Sequence, residues 1–198
     1  MGTRPTKEPT VRIIITQNVT LDGRVEMLDD WFDPQAQDDE LVAELMAQSA
    51  REQILLLGRQ TFEDFRGYWP QQTDDTTGIA AHLEKVRKVV VSSTLTEPAW
   101  TNTEIITEPL LEVAALRSQP GLDVIITGSI TLAHELIAAG LVDEYRMFVH
   151  PVWQGRGRGF FPDGHPQPQL SLLDSRPFHR SGVVYSSYAP TGEVPTSL

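Results

Sequence analysis

The stretch Ile125-Ile-Thr-Gly-Ser-Ile-Thr131 decides how the rest of the chain is read. A β-branched run stops at Gly128-Ser129. A helical pattern then begins, over 131–139, with Gly140 placed as its C-terminal stop. A strand, a small-residue turn and a helix in immediate succession present backbone N–H groups to phosphates. Working outward, the same break recurs in Leu56-Leu-Gly-Arg-Gln-Thr-Phe-Glu63. The run Val90-Val-Ser-Ser-Thr-Leu95 ends in three hydroxyls, and Asn18-Val-Thr-Leu-Asp-Gly23 follows the first strand. A single such turn is a weak signal, whereas a spaced set suggests one nucleotide cradle.

The periodicities around these turns alternate. Short apolar runs predict strands at 11–17, 54–57, 88–92, 104–107 and 123–127, and helical spacing predicts helices at 38–50, 60–65, 79–86, 109–117 and 131–139. After Gly140 the helical signal stops, and 145–152, 170–178 and 183–188 read as strands joined by Gly- and Pro-rich loops. The expected fold is therefore α/β, a mixed but mostly parallel sheet flanked by helices, with a C-terminal antiparallel hairpin closing one edge. Residues 66–77, with a glycine, Trp69-Pro70 and a polar run, are expected to form a loop. One domain over 11–189 is expected, between disordered tails at 1–10 and 190–198.

Bulk properties narrow the partners. A chain of 198 residues with net charge −11 is a poor candidate for nucleic acid, although an anionic cofactor needs only a local basic patch. No apolar run approaches the roughly 20 residues of a membrane span, and Met1 to Pro9 lack the apolar core of a signal peptide. Cysteine is absent, which removes thiolate metal sites and cysteine nucleophiles and is compatible with a reducing cytoplasm, the expected location. His134, His150, His165 and His179 show no metal-ligand spacing, so no metal is expected.

Several residues stand out as candidates, each with an ordinary alternative. Arg59 at a helix start is electrostatically misplaced unless an anion pairs with it; otherwise it is a solvated arginine. Ser92, Ser93 and Thr94 could hold a phosphate or simply cap a turn. Gly128, Ser129, Ile130 and Thr131 suit a pyrophosphate or an ordinary N-cap. The G-x-G-x-x-G spacing and the P-loop lysine are both missing. Asp38 falls near the centre of the stripe Leu41, Val42, Leu45 and Met46, where apolar surroundings would raise its pKa and make it a proton donor; helix capping explains it as well. Asp22 is the other candidate catalytic carboxylate, in a loop expected to overhang the cleft. Asn18, Asp22, Trp31, Arg156 and Arg158 are the candidate substrate contacts, with Trp31 and Phe32 as an aromatic lid and the two arginines in the glycine loop 155–159 as a phosphate clamp.

As an ordered set, these segments resemble the dihydrofolate reductase-like superfamily, and more closely its riboflavin-biosynthesis pyrimidine reductase branch. The likeness also rests on Tyr68-Trp-Pro70, Gly140-Leu-Val-Asp-Glu144, His150-Pro-Val152 and Phe161-Pro-Asp-Gly164, and extends over 11–189. The resemblance implies a three-layer reductase fold that uses NADPH. It gives the cofactor to Gly58, Arg59, Gln60 and Thr61, to Ser92, Ser93 and Thr94, and to Gly128 through Thr131. It further implies hydride transfer to a small heterocyclic or ribosylated pyrimidine, and a homodimer. A pterin reductase and a non-catalytic NADP-binding module on the same fold are the alternatives. Ser129 stands where dihydrofolate reductase proper has its second glycine. Without cysteines the chain lacks the zinc deaminase that often accompanies the riboflavin enzyme.

Overall fold

The computed structural model describes residues 11–34, 39–51, 54–117, 121–164 and 169–191. Eight strands form one sheet: β1 (Ile13–Thr20), β2 (Ile54–Gly58), β3 (Arg87–Val91), β4 (Thr103–Ile106), β5 (Val124–Thr127), β6 (Glu144–His150), β7 (Leu170–Phe178) and β8 (Val183–Pro190). Five α-helices connect them: α1 (Asp39–Ser49), α2 (Arg59–Tyr68), α3 (Ile79–Lys85), α4 (Pro109–Arg117) and α5 (Ile130–Ala138). The strand order is β4-β3-β2-β5-β1-β6-β8-β7. Pairing is parallel from β4 to β6 and antiparallel along β6-β8-β7. This is the three-layer architecture expected from the sequence.

The layers follow from chain direction. The β1–β2 and β2–β3 connections step one way along the sheet, and the β4–β5 and β5–β6 connections step back. Parallel crossovers are right-handed, so the two groups of helices land on opposite faces. Accordingly Ile13 and Ile15 of β1 pack with Val113 of α4 and with Leu132, Ala133, Leu136 and Ile137 of α5. Ile14, between them in sequence, packs on the other face with Phe62 of α2 and Leu83 of α3. On that second face α1 lies over the far end of the sheet, its Leu41 packing with Phe148, Phe178 and Tyr185.

Two polar groups are built into this core. Lys88 is fully buried; its ammonium donates to the carbonyls of Leu83 and Val86, 2.5 and 3.0 Å away, and lies 4.6 Å from the Trp100 ring centre. It thereby satisfies carbonyls at the C-terminal end of α3, where a cation also complements the helix dipole. Under β6, buried Glu144 accepts from Arg146 at 2.8 Å, from Ser187 at 2.8 Å and from Arg12 at 3.1 Å.

Most boundaries shift by one to three residues from expectation, and two of the shifts have a clear physical reason. Residues 66–77 are not all loop: α2 continues to Tyr68, and Trp69–Gln71 form a 3-10 turn. Pro70 is tolerated because it sits in the first turn, where its missing N–H would have no partner. Burial of Trp69 against Phe62, Leu83 and Leu57 supplies the reason to keep winding. At the C-terminus, Pro190 belongs to β8, opposite Leu170, and Thr191 donates to Gln169 at 3.0 Å. A proline is accommodated there because it ends the strand. The expected tail at 1–10, and residues 192–198 of the tail expected at 190–198, lie outside the described residues.

Candidate functional site

β2 and β5 are neighbours, so the two Gly-containing turns at their C-terminal ends lie side by side. The chain stitches them together. Ser129 N–H donates to Thr61 Oγ1 at 2.8 Å, and Gly58 N–H donates to Ser129 Oγ at 3.0 Å. The amide of Gln17, from β1, closes a two-point contact with Gly128, accepting from its N–H at 3.0 Å and donating to its carbonyl at 2.5 Å. Gly128 has φ +55°, and a Cβ there would stand 2.8 Å from Thr61 Cγ2, so the glycine is required both by its backbone and by its neighbour. Ser129 is also left-handed, at φ 43°, a conformation that costs a non-glycine residue on the order of 1–2 kcal/mol. Its hydroxyl bond to Gly58 offsets that strain.

Neither α2 nor α5 has a side-chain cap, because Gly58 has none to offer and the Ser129 hydroxyl is engaged with Gly58. The first N–H groups of both helices therefore lack intrahelical acceptors and face a cleft of about 980 Å³ that is lined by Gly58 through Thr61 and Gly128 through Thr131. Two cations border it. Arg59 lies at the start of α2, ion-paired with Glu63 at 2.9 Å. Arg158 pairs with Glu26 at 2.7 Å and donates to Thr131 Oγ1 at 3.3 Å, at the start of α5. Convergent helix N-termini with adjacent arginines favour an anion.

The other candidates separate. Asn18 lines the cleft, with its Oδ1 2.9 Å from His150 Nε2. Phe32 lines it too, whereas Trp31 sits behind, stacked edge-on against His150 with its indole N–H bonded to Gln154 at 2.9 Å. Burial pushes the His150 imidazole below its ordinary pKa. Ser92 accepts from the N–H groups of Thr94 and Leu95 at 3.1 and 2.9 Å, the turn-capping arrangement. Ser92, Ser93 and Thr94 do not line the cleft, although Val91 just before them does. Arg156 is paired with Asp29 at 2.7 Å, outside the cleft lining. Asp38 lies outside the described residues.

Asp22 is a fastener. It accepts from Thr20 Oγ1 at 2.6 Å and from the backbone N–H groups of Gln154 and Gly155 at 3.1 and 2.8 Å, so it ties the first loop to the loop after β6. The Thr20 hydroxyl first, then these amides, hold its pKa at about 2, and a carboxylate so strongly ionised is unsuited to donating a proton at neutral pH. Because the folded pKa lies below the ordinary 3.8, the stability it contributes is complete above that value and is lost as the pH falls towards about 2. Asp22→Asn should therefore be less stable than the parent at neutral pH. In denaturant titrations across the acid range the difference should close between those two pKa values. A difference that stays constant with pH would refute this assignment.

The cleft extends well past the cradle. α2 is ten residues long, so its far end is about 15 Å from Arg59, yet Tyr68 and the following Trp69 still line the same cleft. Thr16, Asn18 and Thr127 reach it from the ends of β1 and β5; Leu45, Met46, Gln48 and Ser49 of α1, and Ile79, His82 and Leu83 of α3, form its walls. The cleft thus lies where α1 and the α2–α3 pair part over β1 and β5, at the carboxyl ends of parallel strands. Gln17, Thr127, Asp64, His82 and Glu135 are lining residues that the motifs did not single out. Gln17, a buried polar side chain that interrupts β1 after its apolar run, was the most readable of them.

Comparison with solved structures identifies the fold. A putative riboflavin biosynthesis protein from Shewanella sp. PV-4 superposes with a TM-score of 0.68 at 17% identity, over 91% of this chain and 99% of that one. A pyrimidine reductase-like protein from Corynebacterium diphtheriae gives 0.62 at 13% identity, over 92% and 93% of the two chains. A diaminohydroxyphosphoribosylaminopyrimidine deaminase/5-amino-6-(5-phosphoribosylamino)uracil reductase from Thermotoga maritima gives 0.62 at 15% identity, over 91% of this chain but only 57% of its own. The fold is thus that of the pyrimidine reductase-like proteins. The RibD C-terminal domain model matches residues 11–184, and the chain belongs to that family. It is also 32% identical over 184 residues to the uncharacterized protein YyaP of Bacillus subtilis (strain 168), covering 89% of this chain and 94% of YyaP.

Proposed function

We propose that the chain is an NADPH-dependent reductase that delivers hydride to a C=N or C=O bond of a small nitrogen heterocycle. The observation that carries this is the pair of uncapped helix N-termini, braced through Thr61, Ser129 and Gln17 and flanked by Arg59 and Arg158, opening on one cleft. The donor set fits the cofactor. Backbone N–H groups of Ile130 and Thr131, with Arg158, suit a pyrophosphate, and Arg59 with the start of α2 suits a 2′-phosphate.

When bound, NADPH supplies the hydride; the protein's part is to bind, orient and exclude water. Gln17 and Thr61 fix the α5 turn so that its donors are in place before the anion arrives. Phe32, reaching the cleft from the first long loop, shields it from solvent. Membership of the RibD C-terminal domain family and the riboflavin-pathway proteins among the structural relatives support a pyrimidine-like substrate.

Fluorescence or calorimetric titration tests the proposal, and no binding of NADPH at millimolar concentration would sink it. In Arg59→Ala the preference for NADPH over NADH should fall about tenfold, the effect of losing one charged hydrogen-bond partner. An unchanged preference would remove Arg59 from the 2′-phosphate role.

A further inference from the structure

The two ends of the cleft differ in chemistry, and the difference bears on what is reduced. Among the described lining residues the cations are Arg59 and Arg158, both at the cradle. The other end is built from Leu45, Met46, Tyr68, Trp69, Ile79 and Leu83. These side chains come from three helical segments that meet there: a Cβ on Gly78, at the head of α3, would lie 3.2 Å from Met46 Sδ of α1, and the Tyr68 and Trp69 rings stand edge-to-face at 5.0 Å. Its polar groups are neutral. They are the Gln48 amide and the Ser49 hydroxyl, with Asn18 nearer the strand ends. His82 adds an imidazole that burial, aided by the charge of Lys88, pushes towards its uncharged form. Midway along α2 the exposed carboxylate of Asp64 borders the cleft. The segment 35–38 between Pro34 and α1 contains no lysine or arginine either.

A phosphate monoester at this end would leave water without a cation to meet it and with a carboxylate on its path. A flat uncharged ring would instead exchange water for aromatic and thioether contacts, with the Ser49 hydroxyl and the Asn18 amide to read its edge; the Gln48 amide is held between Glu44 and Arg146. We infer that the substrate half of the cleft takes an uncharged planar heterocycle that carries no phosphate. This rests on the reductase reading and narrows it. The phosphates in this cleft belong to the cofactor alone, and the phosphoribosyl group named for the Thermotoga maritima relative has no counterpart cation among the described residues that line this end.

The test uses the full-length protein saturated with NADP⁺. Ribose 5-phosphate titrated into that complex by calorimetry should give no saturable heat up to about 10 mM, and a Kd below about 1 mM would overturn the inference. In parallel, NADPH oxidation is followed with 5-amino-6-ribosylaminouracil and with its 5′-phosphate. Removing the phosphate should leave kcat/KM within about threefold or raise it, and a loss of about tenfold or more would also overturn it. If neither compound is turned over, the calorimetric result alone decides. The preceding NADP⁺ titration separates the two ideas: failure to bind NADP⁺ sinks the reductase proposal, whereas binding of both NADP⁺ and ribose 5-phosphate sinks only this one.

Discussion

Glu144→Ala should lower the unfolding free energy by about 3–5 kcal/mol, the usual consequence of removing one partner from a buried ion pair. Glu144 and Arg146 are both buried on β6, and the carboxylate also receives Ser187 of β8 and Arg12, just before β1. Without it the Arg146 guanidinium loses its 2.8 Å carboxylate partner inside an otherwise packed layer, with Gln48 3.3 Å away. A urea titration of parent and variant measures the loss. The paired replacement Glu144→Met with Arg146→Met should recover much of it, because no charge is then stranded. A single variant within about 1 kcal/mol of the parent would mean that water reaches this cluster.

The second large effect concerns the cradle. Gly128→Ala places a methyl group 2.8 Å from Thr61 Cγ2 and 3.1 Å from its Oγ1, at φ +55°. Thr61 cannot swing aside without releasing the Ser129 N–H that it accepts at 2.8 Å. Strain and overpacking together should cost about 2–4 kcal/mol. NADPH affinity should fall at least about tenfold, since a displacement of the turn misaims the donors at the start of α5. Thr61→Ser removes the methyl in the way but keeps the hydroxyl. In the double variant, part of the stability and affinity should therefore return, and simple additivity would show that the crowding is elsewhere.

What the sequence made legible, and what it hid, follows the range of the interactions involved. Ile13 to Thr20, Ile54 to Gly58 and Val124 to Thr127 announce themselves as strands because they are short β-branched or leucine runs ended by small residues. Gly58 and Gly128 could be read as turn glycines for the same local reason. Gln17 could not be assigned its role, since the backbone it grips is 111 residues away. Ser92 to Thr94 carried a plausible phosphate-binding composition, but the Ser92 hydroxyl is engaged within its own turn and none of the three lines the cleft, and composition alone does not reveal which way a turn faces. The continuation of α2 beyond Phe65 was hidden by Gly67 and Pro70, whose breaking tendency is overridden by burial of Trp69. Tyr68, Trp69, Leu45 and Met46 stood in separate motifs, but nothing local joined them into one apolar end, because α1, α2 and α3 each contribute only one or two side chains to it.

The position of β1 has a consequence for synthesis. It leaves the ribosome well before both strands that flank it, β5 and β6, which lie far downstream: Ile13 pairs with Val124 and Thr20 with His150. About 100 residues separate the end of β1 from the start of β5, so at typical translation rates the wait is on the order of 5–20 s. During that interval a strand buried on both faces in the finished sheet has two unsatisfied edges and no cover. The nascent chain thus carries this apolar strand unpaired through that interval, and a factor that sequesters Ile13 to Val19 early should raise the yield of folded protein without touching the native state.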